Sequence, residues 1–247
     1  MSERKKPENR FSNRFSEMFG QIAEEYEFFN KIISFGQINR WRRKSVRIIN
    51  PPKYGRVLDI CCGPGNLTRE IASYMPEGEV IGLDFSEGMI KRARSLTAEK
   101  ELENVEFRTG DAADLDFASE QFDVVTVAFG LRNIVRMEEA IDEMLRVLKP
   151  GGKAASLDLG KPRNKLFRRL YGFYFHRIMP RLAGFILEDK KPYKYLSSSL
   201  KSFPNQESLR EIFTSRGFQD VHYREFLNGV TVLHIGQKKL CLKNSIL

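Results

Sequence analysis

The stretch Leu58-Asp59-Ile60-Cys61-Cys62-Gly63-Pro64-Gly65 decides the fold. Its first half, with Arg56 and Val57 before it, predicts a short apolar strand over 56–61. Gly63 and Gly65 let the backbone turn sharply and approach a ligand closely. Apolar residues then return at helical spacing from Leu67 to Tyr74. The stretch therefore predicts a strand, a tight loop and a helix, and the N-terminus of such a helix favours a negatively charged group.

Short apolar segments alternate with helical segments after this stretch. The further strands are predicted over Glu79–Asp84, Val105–Thr109, Phe122–Ala128 and Lys153–Leu159, and the helices between them over Glu87–Thr97 and Met137–Leu148. A last helix over Glu207–Arg216 precedes two segments, Phe218–Phe226 and Val230–Gln237, that pair as a hairpin. Strands that alternate with helices predict an α/β fold with a mostly parallel, seven-stranded sheet and helices on both faces.

Two segments lie outside this alternation. Helical spacing over 11–53, ended by Asn50-Pro51-Pro52, predicts N-terminal helices. Aromatic and basic residues over 161–204 interrupt the alternation after the fifth strand and predict a helical insertion that covers a site. We expect a single domain over 11–238, a disordered tail over 1–10 and a second tail over 239–247.

The composition is that of a soluble globular protein, with 247 residues, 41% hydrophobic and 30% charged. No apolar run approaches the roughly 18 residues of a spanning helix, and the N-terminus shows no export segment. Cys61, Cys62 and Cys241 fit no disulfide framework. We therefore expect a cytoplasmic protein. Positive charge is concentrated in 1–53 and 161–247, and the net charge is +9. Such asymmetry favours a nucleic-acid or an anionic-membrane partner, and the alternative is a solvated surface without a partner.

The loop and the strand ends favour a nucleoside ligand without phosphate. Asp84 ends the second strand, where a carboxylate can hold ribose hydroxyls. Asp111 lies in a polar turn after the third strand. Thr68 stands where a dinucleotide-binding fold has its third glycine, and the loop has no Lys or Arg to neutralise a pyrophosphate. S-adenosylmethionine has ribose and adenine but no phosphate, and Asp59 could hold its ammonium group, so these residues favour it as the cofactor.

Several motifs over about 15–238 match one family. They are Ile22-Ala23-Glu24-Glu25-Tyr26-Glu27 with Asn30, Ser34-Phe35-Gly36, the 59–65 loop, Phe129-Gly130-Leu131-Arg132-Asn133, Arg146-Val147-Leu148-Lys149-Pro150-Gly151-Gly152, Tyr193-Lys194-Tyr195-Leu196, and Gly229-Val230 with His234. The arrangement resembles the Rossmann-like class I S-adenosylmethionine-dependent methyltransferases. Within them it resembles the family that C-methylates the ring of demethylmenaquinol and of the ubiquinone precursor. The Phe129–Asn133 motif is far more specific than the Lys-Pro-Gly-Gly turn, which many methyltransferases share.

The resemblance implies methyl transfer from S-adenosylmethionine, released as S-adenosylhomocysteine, to a ring carbon of a prenylated quinol, with demethylmenaquinol as the expected substrate. It implies no metal. The implied cofactor-binding residues are Asp59, Gly63, Pro64, Gly65, Asp84, Phe85, Asp111, Ala112 and Ala128. The implied catalytic residues are Arg132, Asn133, His176 and Tyr195.

Each implied catalytic residue has a role in ring methylation. Arg132 would stabilise the phenolate that makes the ring carbon nucleophilic, and Asn133 would hydrogen-bond a ring oxygen. The alternative for Arg132 is a pair with an acid such as Asp111 that only shapes the loop. His176 and His234 are candidate bases. Tyr195, with Tyr26 and Tyr193, would line the ring pocket.

Three departures from the family pattern leave other substrates open. Pro64 and Asn66 stand where the family usually has Thr and Asp. Ala128 replaces a common Ser, and Asp111 replaces the usual Asn. A paralogue with a different quinol or ring substrate is compatible with these changes. So are a methyltransferase of sterols, lipid head groups or polyketides and a non-catalytic cofactor-binding member of the family.

Partners follow from the substrate and from the charge pattern. The prenyl tail of a quinol lies in a bilayer. Trp41 with Arg42-Arg43-Lys44, and the stretch 165–181, are therefore expected to contact an anionic membrane surface peripherally. A nucleic-acid partner is not expected, because Asn50-Pro51-Pro52-Lys53 precedes the first strand and lacks the aromatic residue of amino-methylating enzymes. A homodimer is left open.

Overall fold

The computed structural model describes residues 34, 36–174, 177, 199–200 and 202–240. Within these residues helices and strands alternate. The helices are α1 (Ile38–Ile49), α2 (Asn66–Tyr74), α3 (Glu87–Ala98), α4 (Met137–Val147), α5 (Lys165–Phe173) and α6 (Gln206–Ser215). The strands are β1 (Arg56–Ile60), β2 (Glu79–Asp84), β3 (Val105–Thr109), β4 (Phe122–Ala128), β5 (Leu148–Leu159), β6 (Gln219–Phe226) and β7 (Thr231–Gln237).

The strands form one sheet in the order β3-β2-β1-β4-β5-β7-β6. Strands β1 to β5 pair in parallel, and β7 is antiparallel to both β5 and β6. The chain moves outward from β1 to β2 and β3 on one side, and β4 lies on the other side of β1. Open α/β sheets bind ligands at the carboxyl ends of the strands where the order reverses in this way. The predicted seven-stranded, mostly parallel sheet is confirmed.

Helices cover both faces of the sheet. On one face, Met144 of α4 and Phe213 of α6 share an apolar cluster with Leu58. On the other face, Ile71 of α2 clusters with Val57. Neighbouring residues of β1 thus point to opposite faces, as the pleat of a strand requires. Central strands buried on both faces are mostly apolar, which explains the nearly continuous apolar run of β4.

The start of β5 differs from the sequence prediction. The Lys149-Pro150-Gly151-Gly152 segment was expected to be a turn before a strand at Lys153, but β5 begins at Leu148. The Gly151 N–H donates to the Lys238 carbonyl (3.0 Å), and the Lys238 N–H donates to the Gly152 carbonyl (2.9 Å). Pairing with a segment distant in sequence therefore draws the turn into the sheet.

Parts of the predicted N-terminal helices and of the predicted insertion lie outside the described residues. The predicted tail over 1–10 and residues 241–247 of the second predicted tail also lie outside them. The described part of the N-terminal helices is α1. The residue that follows it, Asn50, has a left-handed φ of 49° directly before Pro51. In the insertion, α5 begins after Asn164, whose side chain accepts from the Phe167 N–H (3.0 Å). None of the described helices combines the length and apolarity that crossing a bilayer requires.

Candidate functional site

The carboxylate of Asp84 holds the loop after β1. The Gly63 N–H donates to Asp84 Oδ2 (2.8 Å), and the Ser86 N–H donates to Oδ1 (2.9 Å). Burial raises the pKa of Asp84, and these backbone hydrogen bonds oppose the rise. Because each carboxylate oxygen can accept a further hydrogen bond, Asp84 can also hold the hydroxyls of a ligand.

The two glycines of the loop serve different purposes. Gly63 and Gly65 have left-handed φ values of 55° and 78°, which glycine adopts without strain. A Cβ on Gly65 would lie 2.7 Å from the Phe107 ring, so packing requires glycine there. A Cβ on Gly63 would meet no atom within 4 Å. The backbone at Gly63 is therefore where a ligand can approach the loop.

Asp59 lies beneath the loop, with 1% of its surface exposed. Its Oδ2 accepts a hydrogen bond from the Thr68 hydroxyl, and its Oδ1 accepts one from the Thr126 hydroxyl, each at 2.7 Å. Burial raises the pKa of Asp59 to about 6, although both hydroxyls lower it. Asp59 thus ties β1 to α2 and β4 from below, and its contact with the cofactor stays a prediction.

Carboxylates concentrate at the carboxyl edge of the parallel strands. They are Asp59, Asp84, Asp111 and Asp158. Burial raises the pKa of the Cys61 thiol, and the negative charges of these four residues raise it further. The Cys61 thiol is therefore a poor nucleophile.

Arg132 makes a buried ion pair at this edge. It lies in a 3-10 turn, Leu131–Asn133, that directly follows β4. Its Nη1 is 2.5 Å from Asp158 Oδ1, and both side chains are 3% exposed. The partner is thus Asp158 at the end of β5, and the pair with Asp111 that the sequence suggested is absent. Asp111 instead pairs with Arg136 (2.6 Å).

Arg69 is a site residue that sequence reasoning missed. It lies on α2, is 6% exposed, and donates from Nη1 to the Pro64 carbonyl (2.6 Å). Its Nη2 donates to Asn66 Oδ1 (2.9 Å). One guanidinium therefore holds both residues that depart from the family pattern in this loop. The three-residue spacing between Asn66 and Arg69 on a helix is the signal that could have revealed the contact.

Some of the other predicted site residues lie at strand ends, and others lie outside the described residues. Phe85 is 39% exposed beside Asp84, Ala112 is buried after β3, and Ala128 is half-buried at the end of β4. The Asn133 N–H donates to the Gly130 carbonyl (2.9 Å), which fixes the turn that carries Asn133. His176, Tyr195, Tyr26 and Tyr193 lie outside the described residues.

The structure does not bring His234 to this edge. It lies in the middle of β7, opposite Ser156, and is 3% exposed. Its Nε2 lies 2.8 Å from the Gln206 carbonyl oxygen of α6, and burial lowers its pKa. His234 therefore packs β7 against α6. Among the described residues, no three His, Cys, Asp or Glu side chains are grouped as the ligands of a metal ion would be.

A cleft of about 520 Å³ lies between α1, α5 and the Leu227–Gly229 turn. Its lining residues are Gln37, Arg40, Trp41, Lys44, Phe167, Leu170, Tyr171, Tyr174, Phe226 and Leu227. Trp41 was expected on a lipid-contacting surface, but only 4% of it is exposed. That expectation was wrong for Trp41, because its indole ring packs in the apolar cluster between α1 and the sheet.

The sheet order with an antiparallel β7, the glycine loop after β1 and the acid that ends β2 define a class I S-adenosylmethionine-dependent methyltransferase fold. The structure of a possible histamine N-methyltransferase from Thermotoga maritima matches with a TM-score of 0.62 at 21% identity, over 90% of this chain and 99% of that chain. The [4+2]-cyclase SpnF matches with a TM-score of 0.69 at 16% identity, over 93% of this chain and 97% of that chain. At these identities the likeness shows the fold alone.

The chain belongs to the ubiE/COQ5 methyltransferase family, whose model matches residues 7–238. It is 39% identical over 229 residues to the ubiquinone/menaquinone biosynthesis C-methyltransferase UbiE of Geobacter sulfurreducens, covering 92% of this chain and 89% of the relative. It is also 39% identical over 223 residues to the demethylmenaquinone methyltransferase of Staphylococcus carnosus, covering 90% of this chain and 92% of the relative. The family resemblance is confirmed.

Replacing Gly63 with Ala tests whether a ligand approaches the open backbone. We expect Gly63→Ala to fold, at a cost of roughly 1–2 kcal/mol for a left-handed Ala, and to bind S-adenosylhomocysteine at least tenfold more weakly by isothermal titration calorimetry. Gly217→Ala is the matched control, because Gly217 also has a positive φ (98°) but lies before β6 at the opposite edge of the sheet. Equal affinities of the two variants would contradict the assignment.

Replacing Asp59 with Asn tests its raised pKa. A carboxyl whose pKa is higher in the folded than in the unfolded protein stabilises the fold below the unfolded pKa and loses that contribution as pH rises through the folded pKa, here about 6. Asp59→Asn does not titrate. Its unfolding free energy relative to the wild type should therefore rise by roughly 3 kcal/mol between pH 4 and 7. Urea unfolding at several pH values measures this, and a pH-independent difference would contradict it. The exposed Asp116→Asn controls for the loss of one charge.

Proposed function

We propose that this protein transfers the methyl group of S-adenosylmethionine to a ring carbon of a prenylated quinol, with demethylmenaquinol as the foremost substrate. Membership of the ubiE/COQ5 family and the names of its relatives support this reaction. The observation that carries the proposal is the open backbone at Gly63 beside the Asp84 carboxylate that ends β2, an arrangement that suits a nucleoside ligand.

The residues of the loop and the neighbouring strand ends fit this cofactor. Bound S-adenosylmethionine supplies an electrophilic methyl group on a sulfonium and leaves as S-adenosylhomocysteine. Asp84 would accept hydrogen bonds from the ribose hydroxyls, and the backbone of 63–65, braced by Arg69, would contact the methionyl part. The residues that would border the remainder are Phe85, Asp111, Ala112 and Ala128.

The acceptor ring must be activated before it can take the methyl group. A phenol has a pKa of about 10, so its hydroxyl must lose a proton or be stabilised as an oxyanion before the ring carbon can attack. We propose that Arg132 stabilises this oxyanion and that Asn133 hydrogen-bonds a ring oxygen. Asp158 is the positioning residue that orients the Arg132 guanidinium. His176 and Tyr195 stay predictions for the base and the ring pocket.

A double substitution separates catalysis by Arg132 from its structural role. Removing one partner of a buried ion pair destabilises a protein, whereas removing both is often tolerated. We therefore expect Arg132→Met with Asp158→Asn to fold and to bind S-adenosylhomocysteine normally. Loss of the oxyanion stabiliser should lower kcat by about 10²- to 10³-fold. The remaining activity should need a higher pH, because the ring hydroxyl keeps its own pKa. A wild-type kcat and pH profile would show that the pair only shapes the turn.

The reaction itself is tested with labelled cofactor. Protein is incubated with methyl-labelled S-adenosylmethionine and a panel of reduced prenylated naphthoquinones and benzoquinones, and mass spectrometry locates the new methyl group. We expect a ring-carbon methyl on the naphthoquinol. Methylation only of a sterol, a lipid head group or a polyketide included in the panel would reject the quinol proposal, and cofactor binding without any transfer would indicate a non-catalytic member.

A membrane surface is the proposed peripheral partner of a cytoplasmic enzyme. Helix α5 exposes Leu166 (68%), Leu170 (61%) and Phe173 (59%) on successive turns, and Lys165, Arg168 and Arg169 lie beside them. An amphipathic basic helix of this kind suits an anionic lipid surface. Co-sedimentation that is equal with anionic and zwitterionic vesicles would reject this partner. A homodimer stays a prediction.

A further inference from the structure

We infer that the cleft between α1, α5 and the Leu227–Gly229 turn binds the isoprenoid tail of the substrate. This assignment rests on the proposed function, since only a prenylated acceptor brings such a tail. The ring would lie at the carboxyl edge near Asn133, and the chain would extend from it into the cleft.

The walls of the cleft have the chemistry that an isoprenoid chain needs. Phe167 and Tyr171 present aromatic surfaces beside the largely buried Trp41, and their rings stack with centroids 6.2 Å apart and planes 10° apart. Such surfaces attract an apolar chain through area burial and dispersion. None of the described residues that line the cleft is acidic. Its volume of about 520 Å³ lies in the range of small-molecule sites.

Helix α1 connects the cleft with the cofactor edge. Trp41 lines the cleft, and the next residue, Arg42, places its guanidinium carbon 5.8 Å from the centroid of the Phe129 ring, directly after β4. The charge of Arg42 also lowers the pKa of Asp59 beneath the loop. Trp41 and Phe129 belong to one apolar cluster. The cleft therefore borders the same apolar cluster as the residue that follows β4, where the ring would lie.

Two apolar side chains at the mouth of the cleft are exposed to water. Leu170 is 61% exposed and Leu227 is 42% exposed, although both line the cleft. Arg40 and Lys44 line it too, and long basic side chains keep their charged ends in water while their stems cover apolar surface. An isoprenoid chain would remove the two leucines from water without burying an unpaired charge.

The single tryptophan of the chain makes the cleft directly observable. Trp41 fluorescence is titrated with farnesol, a prenyl alcohol without a quinone ring, below its aggregation limit and without vesicles or detergent. We expect a saturable change in the emission of Trp41. Leu170→Gln should raise the farnesol dissociation constant about tenfold, because it removes an apolar contact. Leu166→Gln is the matched control, because Leu166 lies on the same helix and is 68% exposed but does not line the cleft.

The outcomes for the cleft and for the reaction can be told apart. No saturable change, or an equal effect of both substitutions, would overturn the cleft assignment. A KM of the Leu170→Gln enzyme that rises equally for a prenylated quinol and for the same ring without a tail would overturn it too. Farnesol binding with the expected variant pattern, but no methylation of any quinol, would reject the proposed function and leave a prenyl-binding cleft.

Discussion

The buried carboxylate of Asp59 joins the elements that form the cofactor edge. Its two oxygens accept the hydroxyls of Thr68 and Thr126, so β1, α2 and β4 converge on one side chain. Ionising a carboxyl at 1% exposure costs free energy, and the pKa of about 6 reflects that cost. At neutral pH the protein therefore carries a negative charge directly beneath the glycine loop. That charge would attract a sulfonium or an ammonium group bound near the loop.

The carboxyl edge of the sheet has two parts with different chemistry. The first part, from β3 to β4, holds carboxylates and the open loop at Gly63. The second part, beyond β5, holds the aromatic cleft under α1 and α5. The ion pair of Arg132 with Asp158 joins the ends of β4 and β5 between these parts. A methyl donor on one side and an apolar acceptor on the other would therefore meet beside the turn that carries Asn133.

Local pattern was sufficient to predict most of the sheet. The bounds of β2 and β4 follow from largely apolar runs, because burial on both faces leaves little choice of residue. Strand β3 lies at the edge of the sheet and alternates around the buried Phe107. Contacts between distant segments could not be predicted in the same way. Leu148 at the start of β5 pairs with Phe122 of β4, and the glycines that follow pair with Lys238. The partner of Arg132 depends on the geometry that brings the end of β5 beside the turn after β4.

The site was predicted less completely than the fold. Asp84 and the glycines could be identified because their position after a strand carries information about ligands. Trp41 was misplaced because the adjacent basic residues suggest a surface, although its own position on the apolar face of α1 buries it. Arg69 was missed because a basic residue on a helix is ordinarily exposed, whereas its hydrogen bonds to the loop accompany its burial.

Calorimetric titration of S-adenosylhomocysteine into the wild-type protein and into Asp84→Asn tests the cofactor assignment most directly. The amide keeps one acceptor for the loop N–H groups but loses the charge that would hold the ribose hydroxyls. Hydrogen bonds to a charged group contribute roughly 1.5–3 kcal/mol, so the dissociation constant should rise about 10- to 100-fold at a temperature where both proteins are folded. An unchanged dissociation constant, or binding of a pyrophosphate dinucleotide as tight as that of S-adenosylhomocysteine, would contradict a nucleoside cofactor held by Asp84 at this acidic edge.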